Sequence, residues 1–351
     1  MRFGSVRMVR NAAYFGIGVL AAMAAPDAFV RARPRGFRGK VAVITGASRG
    51  LGLAIAEELL RRGARIVLVA RDKFELDRAQ RKLQGDAGRS ADILTVVADL
   101  RNREEADRTI AEATSRFGRV DLLINNAGVI TVGPVENQRV EDFKQVMDSN
   151  FFTGVNSTLA VLPQMLERGE GSIANITSIG GKVAVPHLLP YTASKFAAVG
   201  FSEGLAVELR TKGVRVTTVV PGLMRTGSHR NAQFKGDAER EYRWFSLAAS
   251  LPGVSIAAHR AARKIVQAID GGCEEVTITP QAFVVSRLSN VSPEVTRGLM
   301  RGMNALLPKA QPGNTESRRG EEVKRQEISP LTAMGSRAAR EYNQAQTVAE
   351  A

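Results

Sequence analysis

Short apolar runs rich in β-branched residues alternate along the chain with longer stretches whose apolar positions recur at helical spacing. The short runs have the length of buried strands, and the longer stretches have the period of amphipathic helices. This regular alternation predicts a parallel sheet with helices on both faces, which is a doubly wound α/β fold. The strand-like runs are residues 41–45, 65–70, 93–97, 120–124, 171–176, 214–219 and 275–279.

The alternation stops well before either end of the chain, which divides the sequence into four segments. Residues 38–285 are expected to form a single core domain, preceded by a basic and apolar arm at 1–37. Residues 286–308 are predicted to form a C-terminal helix, because large apolar side chains recur there at near-helical spacing. Residues 309–351 are rich in Gln, Glu, Arg, Ser and Gly, so we expect a disordered tail.

The N-terminal arm combines basic residues with an uncharged apolar stretch at 12–25. A basic start, an apolar stretch and small residues after it are also the pattern of a signal peptide. The stretch is shorter than the roughly 20 residues that a membrane-spanning helix needs. Three interpretations stay open: a membrane-associating helix, a signal-like segment, and a helix packed on the body or on a partner subunit.

The composition of the chain argues against several kinds of function and site. The net charge of +14 lies mostly outside the core, since residues 1–40 carry eight Lys and Arg against one Asp. No basic stripe interleaved with aromatic residues is present, so nucleic-acid binding is not predicted. The single cysteine, Cys273, excludes an intrachain disulfide and favours a reducing compartment. No metal site is expected, because the three histidines are scattered and lack an accompanying Cys or acidic cluster.

A glycine-rich turn follows the first strand-like run and opens a helical stretch. Gly46, Gly50 and Gly52 have the spacing G-x-x-x-G-x-G in this turn. Glycines there let the backbone bend tightly and approach a pyrophosphate, which then lies at the positive end of the helix. The segment therefore predicts a Rossmann-like dinucleotide site.

Tyr191 and Lys195 are four residues apart, so on a helix they lie on the same face, one turn from each other. An ammonium beside a phenol stabilises the phenolate and lowers the tyrosine pKa from its usual value of about 10. Such a phenol is a useful acid and base near neutral pH. Solvated helix faces carry the same spacing, so this interpretation depends on the other motifs.

Together these motifs resemble the short-chain dehydrogenase/reductase family over residues 38–280. The resemblance implies an oxidoreductase that transfers hydride between a nicotinamide cofactor and a small carbonyl or alcohol substrate, with residues 38–285 as its cofactor-binding catalytic domain. The segments that carry it stand in the family's order: Thr45 to Gly52, Asp99-Leu100, Asn125-Asn126-Ala127-Gly128, Asn150, Ser178, Tyr191 with Lys195, and Pro221-Gly222 with Thr226.

The resemblance also implies roles for the matched residues. Tyr191 is the general acid in carbonyl reduction and the base in the reverse direction, while Lys195 lowers its pKa and binds the nicotinamide ribose. Ser178 hydrogen-bonds the substrate oxygen, with the adjacent Thr177 as a competitor, and Asn150 holds a water connected to Lys195. The implied cofactor-binding residues are Gly46, Ser48, Arg49, Gly50, Leu51, Gly52, Arg71, Asp99, Leu100, Asn126, Ala127, Gly128, Tyr191, Lys195, Pro221, Gly222 and Thr226.

The residues after the second strand-like run favour NADP(H) over NAD(H). NAD-binding folds commonly carry an acidic residue there, which binds the ribose 2′-hydroxyl. In this chain Arg71 follows the run and Arg49 lies in the glycine turn, and two guanidinium groups suit a 2′-phosphate. Asp72 is interpreted as the N-cap of the next helix, because Asp72 to Glu75 has capping-box spacing.

The resemblance places a variable lid at residues 223–253, whose apolar side chains favour a hydrophobic substrate. It implies a homodimer or homotetramer built on the helices that carry Asn150 and Tyr191, independent of residues 1–37 and 309–351. A cytoplasmic enzyme is expected because its cofactor pool is cytoplasmic, with membrane association through the arm as an addition. The alternatives are a catalytically silent NADP(H)-binding protein and a membrane-recruited scaffold on the same fold.

Overall fold

The centre of the computed structural model is a seven-stranded parallel sheet. The structure describes residues 35–87, 91–251, 253–323 and 333–344. Side chains on the central strands are apolar and buried on both faces, as expected for a parallel sheet covered by helices. The strands are β1 (Val41–Thr45), β2 (Arg65–Ala70), β3 (Ile93–Val97), β4 (Leu122–Asn125), β5 (Gly171–Ile176), β6 (Val214–Val220) and β7 (Glu275–Thr277).

The strand order is β7-β6-β5-β4-β1-β2-β3, so β1 lies between β2 and β4. Val43 of β1 pairs with Val67 on one side and with Leu123 on the other. The sheet grows outward from β1 to β3, and the chain then crosses to the opposite side of β1. A crevice opens at the carboxyl ends of β1 and β4, which is where doubly wound folds bind ligands.

Helices cover both faces of the sheet. On one face Leu53 and Ile265 belong to one buried cluster, and on the other Ile110 and Val161 belong to a second. The predicted doubly wound α/β fold is thereby confirmed. The helices are α1 (Gly50–Arg61), α2 (Lys73–Ala87), α3 (Arg103–Phe117), α4 (Val140–Met147), α5 (Thr153–Arg168), α6 (Leu189–Leu209), α7 (Ala238–Ser250), α8 (Ala258–Asp270), α9 (Pro280–Val291), α10 (Pro293–Asn304), α11 (Gly320–Val323) and α12 (Ala333–Glu341).

The helix predicted at 286–308 is divided in the structure. α9 ends at Val291, and α10 begins at Pro293. Proline has no N–H to donate and disfavours helical geometry in the residue before it. Ser292 accordingly has φ −141° and ψ 78°, well outside the helical region. The apolar spacing predicted helix correctly, but the proline separates it into two.

The region predicted to be a lid, 223–253, contains two short strands and α7. Phe234, Tyr242 and Phe245 pack on one another and on Val132 and Leu188 in a third buried cluster. Phe234 pairs within a small sheet that also contains Thr131–Val132 and Arg318–Arg319. Several of the apolar residues expected to face substrate therefore stabilise this region instead.

Disorder was expected for residues 309–351, but the parts that the structure describes, 309–323 and 333–344, contain regular elements. Arg318–Arg319 forms a strand, and α11 and α12 follow. Ala338 and Tyr342 are only 7% and 2% exposed and belong to the same cluster as Ile44. The segment is polar on average, and for that reason its composition predicted disorder. A few small or apolar residues are nevertheless enough to anchor it to the core.

The predicted N-terminal arm at 1–37 lies outside the described residues except for its last three. Of these, Phe37 is buried against α1 and α8, in the cluster on that face of the sheet. Among the helices that the structure describes, none is long and apolar enough to span a bilayer.

Candidate active site

The glycine turn brings the start of α1 close to the ends of β1 and β4. Gly46 has φ +61°, and a Cβ there would lie 2.8 Å from Cα of Ala127. At Gly52 a Cβ would lie 2.5 Å from the carbonyl oxygen of Gly46. Glycine is therefore required at both positions, at Gly46 for its conformation and its close contact with Ala127, and at Gly52 for its close contact with the turn itself.

Two polar side chains connect this turn to the loop after β4. The Thr45 hydroxyl oxygen accepts hydrogen bonds from the backbone N–H groups of Asn126 (2.9 Å) and Ala127 (3.0 Å). The Asn126 amide donates to the carbonyl oxygens of Thr45 (2.9 Å) and Gly46 (3.0 Å). These bonds fix the two loops at the crevice. Thr45 was not predicted as a site residue, although its place before the first glycine was visible in the sequence.

A cavity of about 550 Å³ occupies the crevice. Of the residues predicted for cofactor binding or catalysis, all but Gly52 and Asn150 line it. Residues predicted for the glycine turn and residues predicted for catalysis thus share one cavity. The predicted residues that line it are Gly46, Ser48, Arg49, Gly50, Leu51, Arg71, Asp99, Leu100, Asn126, Ala127, Gly128, Ser178, Tyr191, Lys195, Pro221, Gly222 and Thr226.

Tyr191 lies in the first turn of α6, next to Ser178 at the end of β5. Burial raises the pKa of the Tyr191 phenol, and its hydrogen bond with Ser178 lowers it. The Ser178 hydroxyl oxygen also accepts from the backbone N–H of Gly180 at 3.0 Å. A Cβ on Gly180 would lie 3.3 Å from the Tyr191 ring, so a glycine there leaves the phenol room.

Thr177, the competitor for the role of Ser178, has its hydroxyl engaged elsewhere. Its Oγ1 donates to the carbonyl oxygen of Val219 at 2.6 Å, and the residue is 3% exposed. A side chain held to the neighbouring strand in this way is not available to a substrate oxygen. Of the two residues, Ser178 is the one with a hydroxyl next to Tyr191.

Lys195 lies one helical turn after Tyr191 and is almost completely buried. Its Nζ donates to the carbonyl oxygen of Ile176 at 2.9 Å and lies 5.7 Å from the centre of the Tyr191 ring. Burial lowers the pKa of Lys195 to about 8. We expected Lys195 to lower the Tyr191 pKa, but burial is the largest influence on that phenol and raises it.

Asn150 lies in a π-helical turn, Asp148–Phe152, between α4 and α5. Its Oδ1 accepts from the N–H of Val129 at 2.7 Å, and its Nδ2 donates to the Val129 carbonyl and to the Ser194 hydroxyl, both at 3.0 Å. π-Helical turns are frequent at functional sites. Asn150 thus connects the loop after β4 to α6, and its link through water to Lys195 stays a prediction.

The opposite end of the cavity is rich in charge. Arg49 pairs with Glu75 at 2.6 Å, and the Ser48 hydroxyl donates to the other oxygen of the same carboxylate at 2.8 Å. Arg71 is exposed and lines the cavity. Asp72 accepts a hydrogen bond from the Glu75 N–H at 2.9 Å, the contact expected of a helix cap. Glu75 was predicted only as a capping residue, yet its carboxylate faces the cavity.

Asp99 and Leu100, predicted next to the adenine, line the same end. The hydrogen bond from Arg101 holds the pKa of the Asp99 carboxyl below its usual value, and the charge of Arg71 adds to this effect. Gln344, far along the chain, also lines the cavity and was not predicted. Within the described ranges, no group of three or more His, Cys, Asp or Glu residues could hold a metal ion.

The chain is similar in sequence to oxidoreductases of other organisms. Over 187 residues the chain is 36% identical to an uncharacterized oxidoreductase of Staphylococcus saprophyticus, covering 53% of this chain and 79% of that protein. Over 232 residues it is 35% identical to a dehydrogenase/reductase SDR family protein 7-like of Drosophila melanogaster, covering 63% of this chain and 71% of that protein.

Solved structures of oxidoreductases are also similar to this chain. A short chain dehydrogenase/reductase from Burkholderia phymatum in complex with NAD has a TM-score of 0.66 at 28% identity, covering 74% of this chain and 96% of that chain. Levodione reductase has a TM-score of 0.63 at 25% identity, covering 71% of this chain and 99% of that chain. The family described as short chain dehydrogenase matches residues 40–235, more than half of the sequence. The chain therefore belongs to the short-chain dehydrogenase/reductase family.

Proposed function

We propose that this oxidoreductase uses NADP(H) to interconvert a carbonyl group and an alcohol on a hydrophobic small molecule. The observation that carries the proposal is a single cavity with two distinct ends. One end is lined by the Ser178 hydroxyl, the Tyr191 phenol and the Lys195 ammonium, and the other by the glycine turn. The arrangement suits a dinucleotide that extends from the turn towards the phenol.

In the direction of reduction, Tyr191 gives its proton to the carbonyl oxygen while hydride adds to the carbonyl carbon. The bound reduced nicotinamide supplies that hydride. A phenol, whose usual pKa is about 10, is protonated at neutral pH and so carries the proton that is transferred. Burial raises the pKa of Tyr191 and makes this proton harder to give up, which the hydrogen bond with Ser178 partly offsets. Ser178 donates a hydrogen bond to the oxygen as negative charge develops on it. Lys195, when charged, stabilises the phenolate left after the proton has moved.

The residues around the cavity fit such a cofactor. The bend at Gly46 and the close approach of Gly52 to the Gly46 carbonyl hold the turn against the loop after β4, which leaves Gly46, Gly50 and Leu51 lining the cavity. Ser48, Arg49 and Arg71 would hold the 2′-phosphate, because hydroxyl and guanidinium groups donate charge-assisted hydrogen bonds to phosphate. This set supports NADP(H).

Glu75 is the observation that favours NAD(H) as a second candidate. Its carboxylate already accepts from Ser48 and Arg49, so a 2′-phosphate must displace it. The relative from Burkholderia phymatum is in complex with NAD. We favour NADP(H) because a carboxylate 18% exposed at its side chain can turn outward, which leaves two arginines for the phosphate.

A hydrophobic substrate is supported by the side chains around Tyr191. Ile130, Val185 and Trp244 are partly buried in the same cluster as the tyrosine ring. Apolar walls with a few polar groups are the usual composition of a small-molecule pocket. An apolar ketone or aldehyde would bury its surface there and place its oxygen against Ser178 and Tyr191.

The experiment that tests the reaction class is a screen of carbonyl compounds with purified full-length protein, followed at the NADPH absorbance band. We expect NADPH to be consumed with at least one hydrophobic ketone or aldehyde. Tight NADPH binding without turnover of any carbonyl or alcohol would instead support a catalytically silent binding protein.

We also propose a homo-oligomer built on α5 and α6, with the enzyme in the cytoplasm and any membrane contact made through residues 1–37. Leu159 and Leu166 on α5 and Leu189 and Phe196 on α6 are each more than a third exposed. Apolar surface of this kind on adjacent helices marks an interaction site. Leu159→Asp should convert the oligomer to monomers in sedimentation velocity, whereas Phe74→Asp, also at an exposed apolar residue, should not.

A further inference from the structure

The C-terminal segment reaches the glycine turn from across the molecule. α12 packs into the main buried cluster through Ala338, with Tyr342 directly after it. Gly227 allows this approach, since a Cβ there would lie 2.4 Å from Cα of Ala339. The last three described residues, Tyr342, Asn343 and Gln344, then lie against the turn. We call them the tail tripeptide.

The first two members of the tail tripeptide hold the turn through specific hydrogen bonds. The carbonyl oxygen of Tyr342 accepts from the backbone N–H of Gly50 at 2.8 Å. The Asn343 amide donates to the carbonyl oxygens of Ser48 (2.8 Å) and Glu75 (3.1 Å), and its Oδ1 accepts from Arg78 at 3.0 Å. Asn343 has φ +55°, a conformation that asparagine tolerates better than most residues.

Gln344 is the member that faces the cavity. It is 8% exposed, lines the cavity, and its Oε1 accepts from the Asn231 amide at 2.6 Å. Its Nε2 lies so close to the turn that a Cβ on Gly50 would be 2.5 Å away. Among the described residues, none accepts a hydrogen bond from this Nε2.

The Gln344 amide N–H opens onto the cavity and has no acceptor among the described residues, so it is available to a ligand oxygen at this place. The same place is the N-terminal end of α1, where the helix dipole favours an anion, although the first N–H, that of Gly50, is already bonded to Tyr342. The cavity stays open beside Gln344 and continues to Thr226 and Tyr191. The tail tripeptide thus lines the cavity without filling it.

We propose that Gln344 is a cofactor-binding residue whose Nε2 donates a hydrogen bond to the pyrophosphate, and that the tail tripeptide completes the cofactor site. This inference rests on the proposed function as a nicotinamide-dinucleotide enzyme. It makes the C-terminal segment part of the binding site, although the segment lies beyond the residues matched to the family, 40–235. Because NADPH and NADH share the pyrophosphate, Gln344 contributes equally to both.

The test measures binding by isothermal titration calorimetry with full-length protein and no carbonyl substrate. Gln344→Ala should raise the Kd of NADPH and of NADH by a similar factor, about tenfold. Gln344→Glu keeps the oxygen that Asn231 contacts but replaces the donor with an anionic oxygen, so its loss should exceed that of alanine. 2′-AMP, which has the 2′-phosphate but no pyrophosphate, should bind the wild type and Gln344→Ala equally.

The matched control is Gln267→Ala, at an exposed glutamine on α8, which should bind both cofactors like the wild type. Unchanged thermal unfolding of the free Gln344→Ala protein would show that the fold is intact. Wild-type affinity in Gln344→Ala, tighter binding, or a loss confined to NADPH and 2′-AMP would each overturn the inference. If wild-type protein binds neither dinucleotide, the proposed function itself fails, which is a different result.

Discussion

The two ends of the cavity are built in different ways. At the catalytic end, Lys195 and Asn150 are 4% and 6% exposed and are held by backbone groups of the surrounding elements. At the phosphate end, the side chains of Arg49 and Glu75 are 30% and 18% exposed and hold each other in an ion pair. Arg71 at this end is exposed.

This difference in burial and bonding indicates which side chains have a fixed geometry and which can rearrange. Buried side chains bonded to the backbone keep one geometry, because every alternative leaves a polar group without a partner. Partly exposed ion pairs contribute little energy and can exchange partners. We infer that the buried side chains of the catalytic end fix the geometry of proton transfer. The choice between NADPH and NADH depends on the side chains of the phosphate end, which can rearrange.

The largest expected effect of a substitution is at the catalytic end. Tyr191→Phe removes the transferred proton but keeps the ring, so kcat should fall by roughly 10²–10⁴-fold while NADPH affinity stays the same. Steady-state kinetics and calorimetric binding measure the two quantities separately. Tyr242→Phe, in the third buried cluster, is the matched control. A kcat near that of the wild type in Tyr191→Phe would remove this residue from the acid role.

Burial of Lys195 at the catalytic end should also make the free energy of unfolding depend on pH. The folded Lys195 pKa of about 8 lies below the usual lysine value of 10.5, so between these pH values the unfolded chain binds more protons. Stability from this residue therefore rises with pH across that window, by up to about 3 kcal/mol, and is lost as pH falls through 8. The free energy of unfolding of wild type minus that of Lys195→Met, from urea titrations, should increase from pH 8 to 10.5. A flat difference would mean that Lys195 is not desolvated.

At the phosphate end, the double variant Arg49→Ala/Arg71→Asp should weaken NADPH binding by roughly 10–100-fold, because two charge-assisted contacts are lost. NADH binding should change much less, since NADH lacks the 2′-phosphate. Arg116→Ala, in the last turn of α3 beside Asp92 and away from the cavity, controls for a general loss of positive charge. If wild-type protein already uses NADH as well as NADPH, the assignment of these arginines is wrong.

The smallest expected effect is at Glu75. Glu75→Gln removes the negative charge that competes for Arg49, so NADPH should bind roughly two- to fivefold tighter while NADH changes little. Glu112→Gln, on the exposed face of α3, is the matched control. Tighter NADH binding in wild type than in Glu75→Gln would show that the carboxylate binds a ribose hydroxyl and would favour NAD(H).

The parts of the site that could be predicted are those whose residues lie close together in the sequence. The turn from Gly46 to Gly52 and the pair Tyr191 and Lys195 are local patterns, whose spacing fixes their geometry on one turn or one helix face. The assembly of the two ends in one site was implied by the resemblance to the family, because the spacing of the motifs does not show which strands are neighbours. Only the local patterns required no knowledge of distant contacts.

Contacts between distant residues could not be predicted. Asn343 and Ser48 are separated by 295 positions, and no local pattern in the tail indicates that it reaches the turn. The partner of Glu75 lies 26 positions away, so capping-box spacing explained its backbone contact but not its carboxylate. The apolar residues of 223–253 looked like a pocket lining, and only packing shows that Phe234 is fully buried.

The most direct test of the central claim uses NADPH with both hydrogens at C4 of the nicotinamide replaced by deuterium, and a ketone found in the carbonyl screen. Mass spectrometry of the alcohol product locates the label. We predict deuterium on the carbinol carbon with wild-type protein and with Tyr242→Phe, and almost no labelled alcohol with Tyr191→Phe. Unlabelled alcohol from the wild type, or labelled alcohol formed at the wild-type rate by Tyr191→Phe, would contradict hydride transfer assisted by this tyrosine.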